Sequence, residues 1–183
     1  MKNLTIIIFI LSILYTQSSF AEITGKINER VDEKLILEFF DNYTHFKINN
    51  NDDRIIEIYS NNSLQGYIFS TWDMVKSLGY DRSPYEIIIG LNLSGTIAGA
   101  QLTYHNEPLF EHDISESDLL EYIKRTKDIN IINGMSRVSR QKPIRPDTVH
   151  RGTISSNLMH EAIFKSARNA SLSVGLFHSK TSD

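Results

Sequence analysis

Length, charge and the absence of one residue type narrow the classes of protein to which this chain can belong. The chain has 183 residues, a formal net charge of −3 and no cysteine. Without cysteine it forms no disulfide and holds no thiolate-ligated iron–sulfur cluster or thioether-attached haem, so any electron transfer needs an organic cofactor or a metal with other ligands. A mildly acidic chain repels phosphates overall, and we therefore expect no nucleic-acid partner.

The N-terminus has the pattern of a secretory signal peptide. A positive charge precedes an apolar run from Leu4 to Leu14, and Ser19 and Ala21 are the small residues that a signal peptidase prefers. A membrane anchor is the alternative, but the run is shorter than the ~20 apolar residues of a spanning helix. We predict a signal peptide over residues 1–21, one domain over residues 22–183, and a periplasmic location without a stable membrane anchor after cleavage.

Hydrophobic periodicity and turn-forming residues then predict the elements in chain order. Helical spacing of apolar residues marks helices, and alternation between turn signals marks strands. The predicted elements are a helix over residues 31–44, a hairpin of strands 54–60 and 66–71, a hairpin of strands 86–91 and 96–104, and helices over residues 115–127 and 155–168. Strands with interleaved and terminal helices favour an α+β domain, built on an antiparallel sheet with flanking helices.

Polar residues near the last two helices predict how those helices begin. Asp113 and Glu116 have the spacing of a capping box, and Thr153 and Ser155 are candidate caps of the final helix. The stretch 136–147 is basic, contains two prolines and has little apolar content. It predicts an exposed loop before the final helix.

The segment 147–156 combines features that suit a phosphate. Gly152 lets the backbone approach a ligand closely, and the hydroxyls of Thr153 and Ser155 can donate hydrogen bonds at the start of a helix. Arg151 adds positive charge. The same residues also suit an ordinary helix cap, and the residues alone leave both interpretations open.

Several segments, by their order and spacing, are more specific than any single motif. They are Gly66–Phe69, Gly79–Asp81, Ile87–Leu91, Gly95–Ala100, His105–Pro108, the segment around Thr153, and Ser166–Arg168. Together they resemble the FMN-binding domain of the nitrous-oxide-reduction regulator family of the NosR/NirI type, over most of the mature chain. The resemblance implies an FMN-binding α+β fold and an electron-transfer flavoprotein rather than a stand-alone enzyme, with no catalytic side chain.

The resemblance also implies how FMN is attached. In that family a flavin transferase joins FMN through its phosphate to the threonine of an Asp-x-x-Ser-Gly-Ala-Thr segment. Asp147 and Thr153 hold the first and last places here, whereas His150, Arg151 and Gly152 depart from the pattern. Covalent FMN at Thr153, non-covalent FMN, and a domain that has lost its flavin therefore all stay open.

Two further groups of residues are candidates for contact with the flavin. The family has a His-His-Glu-Pro segment near the flavin, and here His105 and Glu107 occupy two of its places; a simple polar turn is the alternative. Both residues also resemble part of a metal site, but no third ligand follows at a recognisable spacing, and we predict no metal. Among the aromatic residues, most of which suit the core, Trp72 and Tyr80 are the candidates for a flavin wall.

The resemblance implies a function for a chain that lacks the membrane helices and cysteine clusters of full-length family members. We expect a flavin-based electron carrier that docks with redox partner proteins outside the cytoplasm, the flavin performing the redox chemistry. The alternative is a non-redox binding or regulatory module.

Overall fold

The computed structural model describes residues 23–106, 115–132 and 153–176. Its helices and strands are, in chain order, α1 (Ile27–Arg30), α2 (Glu33–Phe39), β1 (His45–Ile48), β2 (Ile56–Ser60), β3 (Ser63–Ser70), α3 (Thr71–Val75), β4 (Glu86–Asn92), β5 (Ile97–Tyr104), α4 (Glu116–Lys124) and α5 (Thr153–Ser173). The strands form one five-stranded sheet with the order β1-β2-β3-β4-β5, and every neighbouring pair is antiparallel. The predicted α+β fold, an antiparallel sheet with flanking helices, is confirmed.

Both predicted hairpins are confirmed, and turn chemistry explains the first of them. Asn61 and Asn62 join β2 to β3 with φ angles of 46° and 67°. Two consecutive positive φ values are typical of the tight turn whose twist matches that of paired strands, and asparagine tolerates this conformation better than most residues. Gly95, with φ of 75°, lies in the turn between β4 and β5.

The predicted helices differ from the observed ones mainly at their ends. The first is shorter than residues 31–44: the Asp32 side chain accepts the Leu35 N–H at 2.8 Å and caps α2 at its start, and the extended backbone of Phe40 ends it. The final helix is longer than residues 155–168. The capping-box prediction is wrong in its cap residue, since Ser115 accepts the Asp118 N–H at 3.2 Å; Asp113 and the predicted loop over residues 136–147 lie outside the described residues.

The two faces of the sheet carry different helices. Because side chains alternate along a strand, Ile88 points to one face while its neighbours Ile87 and Ile89 point to the other. We call the face covered by α1 and α2 the N-terminal face and the face covered by α4 and α5 the C-terminal face. The buried residues of the N-terminal face are Ile27, Val31, Leu35, Ile36, Phe40, Ile56, Ile58, Ile68 and Ile88.

Glycines in the strands let α2 lie close to the N-terminal face. A Cβ atom on Gly99 would overlap the ring of Phe39, and one on Gly66 would overlap both the Phe40 ring and the backbone carbonyl of Leu91. The end of α2 therefore rests on backbone rather than on side chains. In the described part of the chain, no helix has the length and apolarity needed to cross a bilayer.

Candidate functional site

The candidate site is the N-terminus of α5, the longest helix in the described residues. Thr153 is its first residue, and the helix has 21 residues. The first N–H groups of a helix have no acceptor within the helix, and the helix dipole adds partial positive charge there, which together favour an anion such as phosphate. Ser155 is the third helical residue and is only 8% exposed, so it lies inside the helix and is not its N-terminal cap.

The position of α5 on the sheet is set by core packing and by two side-chain hydrogen bonds. Met159, Ile163 and Ala167 are fully buried in the C-terminal face. The Tyr85 hydroxyl donates to the Leu158 carbonyl at 3.0 Å, near the start of the helix. These contacts hold the start of α5, and with it the backbone of Thr153, in a fixed place against the sheet.

The far end of α5 is held by a second hydrogen bond. The Ser173 hydroxyl donates to Oδ2 of Asp52 at 2.7 Å, and Asp52 in turn accepts bonds from the Arg54 guanidinium at 2.7 and 2.8 Å. The bonds from Arg54 are the main cause that lowers the pKa of Asp52 to about 2, against the opposing effect of its burial. The carboxylate is therefore ionised at neutral pH and ties α5 to the loop between β1 and β2.

Most of the other predicted site residues cannot be placed. Asp147, Arg151, Gly152 and Glu107 lie outside the described residues. His105 directly follows β5, and its Nε2 lies 3.5 Å from Oε1 of Glu116 at the start of α4. Helix α4 also packs against α5, so it connects the end of β5 that carries His105 with the helix that begins at Thr153.

The first turns of α5 contain further polar groups that sequence reasoning did not single out. Oδ1 of Asn157 is buried and has no hydrogen-bond partner within the described structure. His160, one turn later, is buried and stacks on Phe164 with ring centroids 4.3 Å apart.

Of the aromatic residues considered as contacts for the flavin ring, some are buried in the core and others are accessible. Tyr67, Phe69 and Tyr85 are buried in the C-terminal face, as we predicted for most of them. Trp72 is half-buried, with the Lys76 ammonium 4.6 Å from its ring centroid, and Tyr80 is 53% exposed. Trp72 and Tyr80 are therefore the two of these aromatic rings with a substantial accessible surface.

The shifted pKa values belong to the region of β1, β2 and the adjacent strand β3; burial, with a smaller contribution from the Glu57 charge, raises the pKa of Tyr67, for example. The described ranges contain no group of three His, Asp or Glu side chains placed to hold a metal ion. The arrangement at α5 supplies the backbone donors of a helix N-terminus that is held against the sheet.

A buried ion cluster on the N-terminal face was not predicted from sequence. Arg30 of α1 donates from Nε to Oε1 of Glu86 at 3.0 Å and from its terminal nitrogen to Asp73. The Thr103 hydroxyl donates to the other oxygen of Glu86 at 3.0 Å. The cluster joins α1, α3, β4 and β5, and we assign it a structural role in holding α1 on the sheet.

The comparisons with known proteins bear on this site. No protein-family model matches the chain. The chain is similar to protein NirI of Paracoccus denitrificans strain Pd 1222. The two are 30% identical over 111 residues, which is 61% of this chain but only 16% of NirI. The similarity to NirI confirms in part the resemblance predicted from sequence, and the binding of a flavin stays a prediction.

Proposed function

We propose that this chain is an exported FMN-binding protein that carries electrons between partner proteins outside the cytoplasm, with FMN joined through its phosphate to Thr153. The observation that carries the proposal is that Thr153 is the first residue of α5. The threonine to which the resemblance assigns the phosphate is thus the first residue of a long, firmly packed helix, at the end where the helix dipole favours an anion.

The residues at the start of α5 fit the phosphate of FMN. Helix N–H groups supply donors, Gly152 permits a close approach of the backbone, and Arg151 supplies positive charge. We assign His105 and Glu107 to the edge of the flavin ring, and Asp147 to the segment that the transferase recognises. Ser155 is buried in the first turn of the helix.

FMN supplies transfer of one or two electrons when it is bound, and the protein supplies position and electrostatics. The firm packing of α5 on the C-terminal face keeps the attachment point fixed relative to the sheet. The proposed partners are a flavin transferase, which matures the protein, and redox proteins of the periplasm, which exchange electrons with it. No nucleic acid and no metal take part.

The proposal is tested by co-expressing the chain with a flavin transferase in a host that exports it. The intact mass and the flavin fluorescence of the denatured protein are recorded for the wild type and for Thr153→Ala, Thr153→Ser and Ser155→Ala. We expect a mass gain of one FMN less one water in the wild type and in Ser155→Ala, and none in Thr153→Ala. Thr153→Ser keeps a hydroxyl and should retain part of the flavin.

The other outcomes separate the alternatives. A yellow native protein that loses its flavin on denaturation would show non-covalent binding. Covalent flavin that persists in Thr153→Ala would place the attachment elsewhere. Colourless protein in every variant, despite a transferase shown to be active on a control substrate, would overturn the electron-carrier function.

A non-redox binding or regulatory module is the second candidate. The observation that favours it is the replacement of the family's Ser-Gly pair by His150 and Arg151. A long charged side chain in the place of glycine obstructs the transferase or imposes a backbone conformation that glycine reaches more easily. Restoring the pattern with His150→Ser and Arg151→Gly should then convert a colourless chain into a flavinylated one.

A further inference from the structure

The two edges of the sheet differ in how they are protected from another strand. β1, at one edge, has four residues and includes Lys47 and His45. β5, at the other edge, has eight residues and contains no charged residue. Natural proteins usually keep edge strands short or place charges on them, because an open edge pairs with other chains. By this criterion β1 is protected and β5 is not.

The pairing pattern shows which backbone groups of β5 face the open edge. The Asn92 N–H donates to the Thr96 carbonyl at 3.0 Å, so the even-numbered residues of β4 point their backbone groups toward β5. Gln101 pairs with an even-numbered residue of β4 and therefore faces β4. Its neighbours Ala100 and Leu102 direct their N–H and C=O groups outward. Within the described ranges, these N–H groups donate no main-chain hydrogen bond to another element, and these C=O groups accept none.

The chain itself already adds a short extended segment to the beginning of this edge. The Ile97 N–H donates to the Ile129 carbonyl at 3.0 Å, and the Ile97 carbonyl accepts the Asp128 N–H at 2.8 Å. The Gly95 carbonyl accepts the Ile131 N–H at 2.9 Å. This edge thus accepts strand-like pairing, and the pairing stops at Ile97, immediately before the open stretch.

A slot runs beside the open stretch between the two helices that flank β5. Its volume is about 320 Å³, and α2 lies on one side while α4 and the turn after it lie on the other. The apolar side chains in its lining suit alternate residues of an added strand. The lining residues that matter here are Glu38, Phe39, Leu102, Leu120, Lys124 and Lys127.

The charges at the slot select the kind of segment that fits. Lys124 and Lys127 are exposed, and neither ammonium forms an ion pair within the described structure, whereas Glu38 supplies a single negative charge. Two unpaired cations against one anion favour carboxylates in the occupant. The chain's own stretch over residues 136–147 is basic, so charge repulsion from the two lysines disfavours it as the occupant of the slot.

We propose that β5 is a docking edge to which an extended acidic segment of a partner protein adds as a sixth strand. The backbone of the segment pairs with the outward N–H and C=O groups of Ala100 and Leu102, its apolar side chains enter the slot, and its carboxylates face Lys124 and Lys127. The proposal does not depend on flavin, and none of its tests uses flavin.

The test uses the full chain and a displayed library of ten-residue peptides that alternate acidic with apolar residues, beside a matched library in which lysine replaces each acid. The best binder is titrated into ¹⁵N-labelled protein, and amide hydrogen exchange is followed by NMR. We expect the amides of Ala100 and Leu102 to exchange at least about tenfold more slowly with the peptide bound, because they become hydrogen-bonded.

Charge reversal supplies the matched comparison. Lys124→Glu combined with Lys127→Glu should weaken peptide binding by about tenfold or more, since attraction becomes repulsion. Lys47→Glu combined with Arg168→Glu changes the net charge equally, on β1 at the opposite edge of the sheet and on α5, and should change the affinity by less than about twofold.

Four results would overturn the proposal. They are a failure of the acidic library to yield a binder, equal binding by the lysine library, unchanged exchange at both amides in the presence of a binder, and equal weakening by the two double variants. A dimer that forms with rising concentration in sedimentation and protects the same amides would instead assign this edge to a second copy of the chain.

Discussion

The two faces of the sheet are built by different means. On the N-terminal face, α2 ends against strand glycines, and an arginine with two carboxylates joins α1 to the sheet. On the C-terminal face, large aliphatic and aromatic side chains fill the space beneath α4 and α5. The first face depends on close approach of backbone and on paired charge, whereas the second depends on apolar volume. Changes that preserve hydrophobicity should therefore be tolerated differently on the two faces.

The two faces also differ in whether they carry the candidate functional site. The candidate flavin site lies at the start of α5, which belongs to the C-terminal face alone. The docking edge along β5 lies where the two faces meet, between α2 and α4. Damage to the N-terminal face is expected to lower the free energy of unfolding without changing the proposed attachment of FMN to Thr153.

The largest expected effect comes from breaking the ion cluster of the N-terminal face. Arg30→Met leaves Asp73 and Glu86 close together and nearly buried without their cation, and should lower the free energy of unfolding by about 3–5 kcal/mol. Urea denaturation measures this change in the free energy of unfolding. Arg125→Met removes an exposed pair with Glu121 and should change stability by less than about 1 kcal/mol. Equal effects of the two variants would show that the buried cluster stabilises the protein no more than an exposed ion pair does.

The next effect comes from the C-terminal face. Ile163→Ala removes a fully buried side chain beneath α5 and should cost about 3 kcal/mol through lost burial and the cavity left behind. Ile154→Ala makes the same substitution in the same helix at a position that is 55% exposed, and should cost less than about 1 kcal/mol. Thermal or urea unfolding of both variants checks the pair. A similar loss in both would mean that α5 is not anchored by its buried side.

Glycine substitutions test the close approach on the N-terminal face. Gly66→Ala should cost about 2 kcal/mol, because the new Cβ meets a backbone carbonyl as well as the Phe40 ring. Gly99→Ala meets only the Phe39 ring and should cost less. Phe39→Leu should therefore relieve part of the Gly99→Ala loss in a double-mutant cycle. Relief of Gly66→Ala by Phe40→Leu to the same degree would contradict the role assigned to the Leu91 carbonyl.

The last expected effect is at the far end of α5, is similar in size to that of Gly66→Ala, and depends on pH. The pKa of Asp52 falls from an ordinary value of 3.8 to about 2 in the folded chain, so its stabilising effect is complete above pH 3.8 and is lost as the pH falls through 2. Asp52→Asn should cost about 2 kcal/mol at neutral pH, and the difference from the wild type should shrink between pH 4 and pH 2. A difference that is constant over that range would show that the carboxylate charge contributes nothing.

Local sequence patterns predicted most of the longer helices and strands but few of the contacts between them. Both hairpins and the helices α4 and α5 followed from periodicity and from turn residues such as Asn61 and Asn62. The short elements α1, β1 and α3 gave no adequate signal, because four or five residues contain too little of either period. β1 is a strand because β2 offers it hydrogen bonds.

For the candidate site, the sequence by itself determined that Thr153 stands near the beginning of an apolar-faced helix, since helical periodicity is a local property. Only the tertiary structure decided that Arg30 meets Glu86 across 56 residues and that β5 is an edge with Ala100 and Leu102 facing outward. Such features depend on which strands become neighbours, and no spacing along one strand contains that information.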